Sequence, residues 1–314
     1  MNAPAAADGA ASPPLEFSRV TKWYGAVAAL SDVSFRVGCE VVGLVGKNGV
    51  GKSTLMKLAV GLLRPSQGRV TIAGHAAGSL AARAMVGFAP DLERLYETRS
   101  AVTFVGWMLR YHGFSRRAAD DRSREVLTQL GLAADMDRAI REFSKGMRQR
   151  VRLAQALAHR PAFVLLDEPM TGLDPVARAD LARQIRALPA QGVGVLVSSH
   201  VLHELEALVD RVVLVHQGRL LAQGRVDELR ARLTLRPHRL RIVAKDVRDL
   251  AARLVRWSEV AGLRVAADGL EVEVNGDPGF YRSLTELGAT WPGGLGEVAA
   301  LDDDLASVFG YLVG

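Results

Sequence analysis

Several features are scarce in this chain of 314 residues, and each scarcity excludes a class of protein. One cysteine, Cys39, rules out an internal disulfide and fits a reducing compartment. No run approaches the roughly 18 consecutive apolar residues that a membrane-spanning helix requires. Residues 1–14 are rich in Ala and Pro without a basic start, so we expect a disordered leader and not a signal peptide. We therefore expect a cytoplasmic protein that associates with membranes only peripherally.

Clusters of positive charge are also missing, although the formal net charge is +6. Arginines alternate with acidic residues, as in the run Asp120, Asp121, Arg122. A groove that follows a nucleic-acid backbone needs clustered basic residues, whereas interspersed charge is typical of a solvated surface. We therefore expect no nucleic-acid partner. Attraction to anionic lipid headgroups near a membrane partner is a simpler explanation for the surplus positive charge.

Short strands and helices alternate along the chain. Apolar residues make up 49% and charged residues 24%, which is ordinary for one large and one smaller globular domain. Apolar and β-branched runs predict a helix at 52–63 and strands at 15–20, 33–37, 41–45, 69–72, 86–88, 163–167, 193–198 and 212–215. Between about 98 and 158 the apolar spacing is helical. This alternation predicts an α/β fold, with a mainly parallel sheet, helices on both faces, and an inserted helical subdomain.

The pattern changes after about residue 232, so we expect a main domain over 15–232 and an accessory α+β domain over 233–314. Strands are predicted at 240–244, 263–266 and 270–274, and helices at 247–258, 278–287 and 302–312. The accessory domain contains no catalytic constellation. It is interpreted either as a dimerisation or partner-docking domain or as a stabilising cap on the main domain.

A glycine-rich loop separates an apolar strand from a predicted helix. It fits the pattern G-x-x-x-x-G-K-[ST] and comprises Gly46, Lys47, Asn48, Gly49, Val50, Gly51, Lys52, Ser53 and Thr54. Glycines allow the backbone amides to point inward at phosphate oxygens, which a helix N-terminus also favours. Lys52 is then expected to reach the β- and γ-phosphates, and the Ser53 hydroxyl to hold Mg²⁺. The loop alone indicates nucleoside triphosphate binding without choosing among kinases, GTPases, helicases and transporters.

Two carboxylate residues lie where the apolar strand at 163–167 ends: Asp167 is its last residue, and Glu168 follows in the turn. Ligands of α/β sheets bind at the carboxyl ends of strands, so Asp167 is expected to bind Mg²⁺. Glu168 is expected to orient or deprotonate an attacking water. His200 follows another strand end, where a neutral imidazole can contact the γ-phosphate.

These motifs, in this order, resemble those of the ABC ATPase family over about 15–232. The deciding element is 143–150, Phe-Ser-Lys-Gly-Met-Arg-Gln-Arg, which is similar to the family's signature motif Leu-Ser-Gly-Gly-Gln. Ser144 and Gly146 match it, whereas Phe143, Lys145 and Met147 differ. This variant resembles that of bacterial ABC-2-type exporters linked to drugs, antibiotics, sodium and copper processing. The resemblance implies a P-loop NTPase cassette with a mixed sheet and an inserted helical subdomain, plus a small C-terminal α+β domain.

The resemblance also implies roles for particular residues. Ser144, with Gly146 at the same helix N-terminus, is expected to contact the γ-phosphate of ATP held by the opposite subunit. The segment 171–175 resembles the family's D-loop, whose Asp174 reaches across the dimer, and Tyr24 occupies the place of the aromatic that stacks on adenine. Asp91 stands where the family has a glutamine that helps to hold Mg²⁺ and the water. A carboxylate still binds this cation, but it is shorter and charged, which predicts slow or partner-gated hydrolysis.

The resemblance therefore implies the ATP-binding and ATP-hydrolysing subunit of an ABC transporter. Its cofactors are ATP and Mg²⁺, and it works as a homodimer at the cytoplasmic face of the inner membrane, energising export by a separate transmembrane permease. The segment 92–111 is expected to receive a helix of that permease. One alternative is a soluble ABC ATPase acting on ribosomes or DNA, although such relatives carry two cassettes or a long inserted coiled coil. Another is an ATP-gated regulatory module with weak hydrolysis, which Asp91 favours.

Overall fold

The computed structural model describes residues 15–91, 96–200, 205, 208–209, 211–228, 238–266, 269–275, 278–291 and 293–301. The expected leader at 1–14 and the expected last helix at 302–312 lie outside the described residues. The chain divides between Gln223 and Gly224 into two compact units. The boundary expected from the sequence, at 232–233, also lies outside the described residues.

The first unit contains most of the regular structure. Its strands are β1 (Leu15–Tyr24), β2 (Val27–Val37), β3 (Val41–Val45), β4 (Gln67–Ile72), β5 (His75–Ala76), β6 (Val86–Ala89), β7 (Phe163–Asp167), β8 (Gly194–Ser199), β9 (Arg211–His216) and β10 (Arg219–Arg225), the last crossing the boundary between the units. Its helices are α1 (Lys52–Ala59), α2 (Leu80–Met85), α3 (Ala101–Tyr111), α4 (Arg116–Gln129), α5 (Lys145–Leu157) and α6 (Pro175–Arg186).

The predicted parallel sheet is confirmed for the strands that surround the glycine-rich loop. The sheet has the order β10-β9-β3-β8-β7-β6, and β3 pairs in parallel with both β8 and β9. Strand β7 pairs in parallel with β6 and β8. Every residue of β7 and β8 is buried, as continuous apolar strands covered on both faces should be. The carboxyl ends of β3, β8 and β7 consequently lie side by side.

The first strands of the chain do not join that sheet. Strands β1, β2, β4 and β5 form a separate antiparallel sheet in the order β2-β1-β4-β5. The reason is the short connection at Gly25 and Ala26, because a two-residue link permits only antiparallel pairing whereas parallel neighbours need a long crossover. One face of this sheet packs into the main core, where Phe17 stacks on Phe35 with ring centroids 4.5 Å apart.

The predicted helical insertion is formed by α3, α4 and α5. Each of these helices begins after a serine (Ser100, Ser115 and Ser144) whose hydroxyl accepts a hydrogen bond from a backbone N–H in the first turn. The helix predicted at 52–63 is shorter than expected and ends at Ala59, because Gly61 adopts φ +73 and turns the chain. In the described part of the chain, no helix is both long enough and apolar enough to cross a bilayer.

The second unit is an antiparallel sheet with helices. Its elements are β11 (His238–Ala244), α7 (Val247–Leu254), β12 (Val260–Ala266), β13 (Gly269–Val274), α8 (Pro278–Thr290) and β14 (Leu295–Ala300). The sheet order β12-β13-β11-β14, antiparallel throughout, is the split β-α-β arrangement of ferredoxin-like folds. Alternate residues such as Leu240, Ile242 and Val272 enter a core shared with α7 and α8. Strand β14 was not predicted, because Gly296 and alanines give its sequence little β-propensity.

A pair of stacked histidines connects α3 to the chain after α5. The rings of His112 and His159 lie 3.9 Å apart at an interplanar angle of 11°, and His159 Nε2 lies 3.1 Å from the carbonyl oxygen of Val86. Burial, reinforced by the neighbouring His112, lowers the pKa of His159 from 6.5 to about 4. The folded protein therefore holds this imidazole neutral at pH values where the unfolded chain protonates it.

We expect His159 to make the protein less stable in mild acid. Because its pKa is lowered, the stability present above pH 6.5 is lost as the pH falls towards 4. At pH 5 the loss should be roughly 2 kcal/mol relative to pH 7.5. Urea unfolding of the wild type and of His159→Gln at both pH values measures it, with exposed His75→Gln as the control. An unchanged pH dependence in His159→Gln would contradict this assignment.

Candidate functional site

The glycine-rich loop lies between β3 and α1, and its backbone requires glycine at two positions. Gly51 adopts φ +111, and a Cβ there would lie 2.7 Å from Leu30 Cδ2. A Cβ at Gly46 would clash with the carbonyl oxygen of Val215 in β9. Lys47, Asn48 and Gly49 are exposed at the rim of the loop. The loop thus curves tightly around the first turn of α1.

The side chain of Lys52 fills the inside of this loop. It is only 6% exposed, and its Nζ donates hydrogen bonds to the carbonyl oxygens of Gly46 (2.6 Å) and Lys47 (3.3 Å). Glu168 Oε1 lies 3.6 Å from the same Nζ. Burial lowers the pKa of the Lys52 ammonium below its ordinary value, and the negative charges of Glu168 and Asp167 oppose that shift. A cation held in this way favours an anion at the loop.

Glu168 is the centre of the predicted catalytic pair. Its backbone has φ +50, a left-handed conformation that is uncommon for a residue with a side chain. Its Oε2 lies 2.9 Å from His200 Nδ1 and accepts a hydrogen bond from Thr171 Oγ1 at 3.4 Å. Because a carboxylate only accepts, Nδ1 donates its proton in this contact. The structure therefore brings Lys52, Glu168 and His200 together.

The three residues predicted to hold Mg²⁺ line one cleft. Ser53, Asp91 and Asp167 all border a cavity of about 620 Å³ beside α1 and β6. Within the described residues, no three His, Cys, Asp or Glu side chains are grouped closely enough to hold a metal by themselves. Mg²⁺ in nucleotide sites takes one or two carboxylates and completes its shell with phosphate and water, so two carboxylates and a hydroxyl fit it. Asp91 is exposed at the rim of the cleft, while Asp167 is buried.

The residues that resemble the signature motif and D-loop form a second group. Ser144 is the N-cap of α5, and its Oγ accepts a hydrogen bond from the backbone N–H of Met147 at 3.2 Å. Asp174 is the N-cap of α6, with Oδ1 accepting from Ala177 N at 2.8 Å. A Cβ at Gly146 would lie 3.0 Å from Ala177 Cβ, so the two helix starts are adjacent.

The second group lies at the N-termini of α5 and α6, whereas Lys52 lies at the start of α1. Among the hydrogen bonds and ion pairs of the described residues, none joins Ser144 or Asp174 to Lys52 or Glu168. Tyr24, predicted to stack on a base, ends β1 with a ring that is exposed and has Lys22 Nζ 5.4 Å from its centroid. The exposed ring is available for stacking, and Lys22 makes a cation–π contact with it.

Sequence reasoning missed two buried polar residues beside the site. Ser198 hydrogen-bonds to both residues of the Asp167–Glu168 pair. Gln149 of α5 donates from Nε2 to the carbonyl oxygen of Pro169 at 2.7 Å and so connects the signature helix to the turn after β7. Two features of the sequence could have indicated these residues: Ser198 is a hydroxyl near the end of an otherwise apolar strand, and Gln149 is an amide among the buried residues of α5.

Comparisons with known proteins agree with this geometry. The family model described as ABC transporter matches residues 30–171. The chain is 36% identical over 217 residues to the Nod factor export ATP-binding protein I of Burkholderia lata, covering 67% of this chain and 70% of that protein. It is 35% identical over 250 residues to the daunorubicin resistance ATP-binding protein DrrA3 of Streptomyces coeruleorubidus, covering 79% and 78%. A solved ATP-binding subunit of an ABC transporter matches with a TM-score of 0.62 and 32% identity, covering 70% of this chain and 92% of that one.

We expect Lys52→Gln to lose nucleoside triphosphate binding. The substitution removes a buried charge that is expected to contact phosphate, and charge-assisted hydrogen bonds contribute about 1.5–3 kcal/mol each, so affinity should fall about 100-fold. Equilibrium binding of a fluorescent ATP analogue measures the change. The control is Lys245→Gln, which removes an exposed lysine of the second unit. Equal affinity in Lys52→Gln and wild type would show that the loop does not bind phosphate.

Proposed function

This chain belongs to the ABC transporter family of ATP-binding proteins, and on that basis we propose that it hydrolyses ATP to energise export by a separate membrane permease. The observation that carries the proposal is the cluster of Lys52, Glu168 and His200. It places a buried cation, a carboxylate and an imidazole at the carboxyl ends of β3, β7 and β8. Ligands of α/β sheets bind at such ends.

Each member of the cluster has a distinct task in the proposed reaction. Lys52 binds the β- and γ-phosphates, because its ammonium is oriented by the carbonyl oxygens of the loop. Glu168 orients the attacking water and accepts its proton. His200 holds Glu168 through Nδ1 and presents Nε2 on its other side to the γ-phosphate and water.

The proposed ligand is ATP with Mg²⁺, bound by the glycine-rich loop and by the cleft beside it. Ser53 and Asp167 supply the protein oxygens for the metal, and Asp91 borders the same cleft. When bound, Mg²⁺ supplies positive charge that stabilises the phosphate oxygens. Residues 46–51 offer backbone amides to the phosphates, and Tyr24 offers a ring face to the adenine.

Two copies of the chain are proposed to close on two ATP molecules, head to tail. Support comes from the second group itself, because Ser144, Gly146 and Asp174 lie together at the N-termini of α5 and α6. Ser144 lies at a helix N-terminus that favours an anion. Each site would then consist of Lys52 from one subunit and Ser144 from the other.

The permease and the location at the cytoplasmic face of the inner membrane complete the proposal. The cleft that contains Asp91 continues to Met108 and the exposed Tyr111 at the end of α3, and a helix of the permease is proposed to dock near this segment. A docked helix there would reach the metal-binding residues through Asp91. The names of the relatives mention Nod factor and daunorubicin, and these different substrates fit a permease that selects the cargo.

Asp91 favours a second candidate, an ATP-gated module that hydrolyses weakly on its own. A carboxylate at this rim adds negative charge beside Asp167 and the incoming phosphates, and it is shorter than the amide it replaces. The two candidates differ in turnover measured with and without the permease. Slow turnover that the permease does not accelerate would favour the module.

We expect Glu168→Gln to trap a dimer loaded with ATP. The amide removes the base while preserving side-chain size, so ATP binds and closes the dimer but is not hydrolysed. Turnover should fall about 100-fold or more, within the range attributed to general bases. Light scattering after size-exclusion chromatography with Mg²⁺ and ATP should report twice the monomer mass.

The control for this variant is Glu142→Gln, which neutralises a surface carboxylate paired with Arg138 and should change neither turnover nor mass. If Glu168→Gln hydrolyses ATP as fast as the wild type, Glu168 is not the base.

A further inference from the structure

Ser198 is a fully buried hydroxyl in the middle of the site. It lies in β8, directly opposite Asp167 in the parallel ladder with β7, and its exposed surface is 0%. Burying a hydroxyl costs free energy unless it is hydrogen-bonded. The three residues before it are apolar, so its presence requires a specific partner.

Its oxygen bridges the two carboxylate residues at the end of β7. Ser198 Oγ donates to Asp167 Oδ1 at 2.5 Å and accepts from the backbone N–H of Glu168 at 3.0 Å. A hydroxyl can donate and accept at once, which neither a methyl nor a carboxylate does. One side chain thus fixes both a metal-binding carboxylate and the backbone of the base.

The hydrogen bond from the Glu168 N–H to Ser198 Oγ stabilises an unfavourable backbone conformation of Glu168. Glu168 has φ +50, and a residue with a side chain keeps such a backbone only when its surroundings enforce it. From this backbone the Glu168 carboxylate reaches His200 Nδ1 at 2.9 Å and Lys52 Nζ at 3.6 Å. The direction of the carboxylate therefore depends on the bond from its N–H to Ser198.

The hydrogen bond from Ser198 Oγ to Asp167 Oδ1 constrains the Asp167 side chain in a similar way. With Oδ1 accepting from Ser198, rotation of the carboxylate is restricted, and Asp167 borders the cleft shared with Ser53. Groups that hold the ligands of a metal commonly matter to metal affinity almost as much as the ligands.

On the basis of this geometry we propose that Ser198 is a positioning residue for hydrolysis, holding Asp167 for the metal and Glu168 for the water. The inference rests on the proposed function, because it presumes that Asp167 and Glu168 serve ATP hydrolysis. Ser198 itself contacts neither phosphate nor water in this account. It acts only through its two neighbours.

The experiment compares steady-state ATP hydrolysis by the purified full-length wild type, Ser198→Ala and Ser198→Thr. In Ser198→Ala, kcat should fall about 10- to 100-fold and the Mg²⁺ concentration for half-maximal rate should rise, as when a group behind a metal ligand is removed. The KM for ATP should stay within about twofold, because Lys52 and the loop are untouched. Ser198→Thr keeps the hydroxyl and should retain most of kcat.

Ser123→Ala is the matched control. Ser123 is equally buried, and its Oγ donates to the carbonyl oxygen of Ala119 within α4, away from the site. Ser123→Ala should lose some thermal stability but keep the wild-type kcat and Mg²⁺ dependence. If Ser198 had only a structural role, Ser198→Ala would behave in the same way. If Ser198→Ala does not fold, Ser198→Cys keeps a similar shape with only a weak donor and acceptor and should also lower kcat.

Wild-type kcat and Mg²⁺ dependence in Ser198→Ala, or in Ser198→Cys where alanine does not fold, would overturn the inference and leave the proposed function intact. A wild-type protein that binds ATP but never hydrolyses it would overturn the proposed function, and this inference with it.

Discussion

The ion pair between Lys52 and Glu168 is the interaction on which the rest of the site depends. A lysine that is 6% exposed needs compensation for the water it has lost, and the compensation comes from two loop carbonyls and one carboxylate. Lys52 follows β3 and Glu168 follows β7, with β8 between these strands in the sheet. His200 follows β8, so the sheet order brings the cation, the carboxylate and the imidazole to one edge.

This arrangement indicates how ATP binding can be coupled to a change of state. Burial lowers the pKa of Lys52, and the charges of Glu168 and Asp167 oppose that shift, so the ammonium has a carboxylate partner before any ligand binds. In the proposed complex, phosphate would place a further anion beside Lys52, and Ser144 of a second copy would bind the same γ-phosphate. A ligand shifts a conformational equilibrium only by its difference in affinity between the two states. In the proposed cycle, hydrolysis next to Glu168 removes the γ-phosphate, which is the group that makes this difference.

The sequence predicted the local parts of this molecule better than the long-range ones. The glycine-rich loop and β7 follow from contiguous residues, and the parallel sheet around them is confirmed. The separate antiparallel sheet was not predicted, because only the two-residue turn after Tyr24 indicates the pairing of β1 with β2, and β1 pairs with β4 across a long stretch of sequence that leaves no periodic signal. Ser198 was missed for the same reason: its role appears only when β8 lies beside β7. The roles of Ser144 and Asp174 across a dimer stay predictions, since one chain contains half of each proposed site.

The central claim is that each site combines Lys52 of one subunit with Ser144 of another, and mixing inactive variants tests it most directly. Lys52→Ala and Ser144→Ala proteins should each hydrolyse ATP poorly alone. Mixed together, dimers of one copy of each contain one site with both residues intact, so the account predicts that activity returns in the mixture. The double variant mixed with wild type contains no intact site in its mixed dimers and should show no such gain. Failure of the single variants to complement each other would contradict the account.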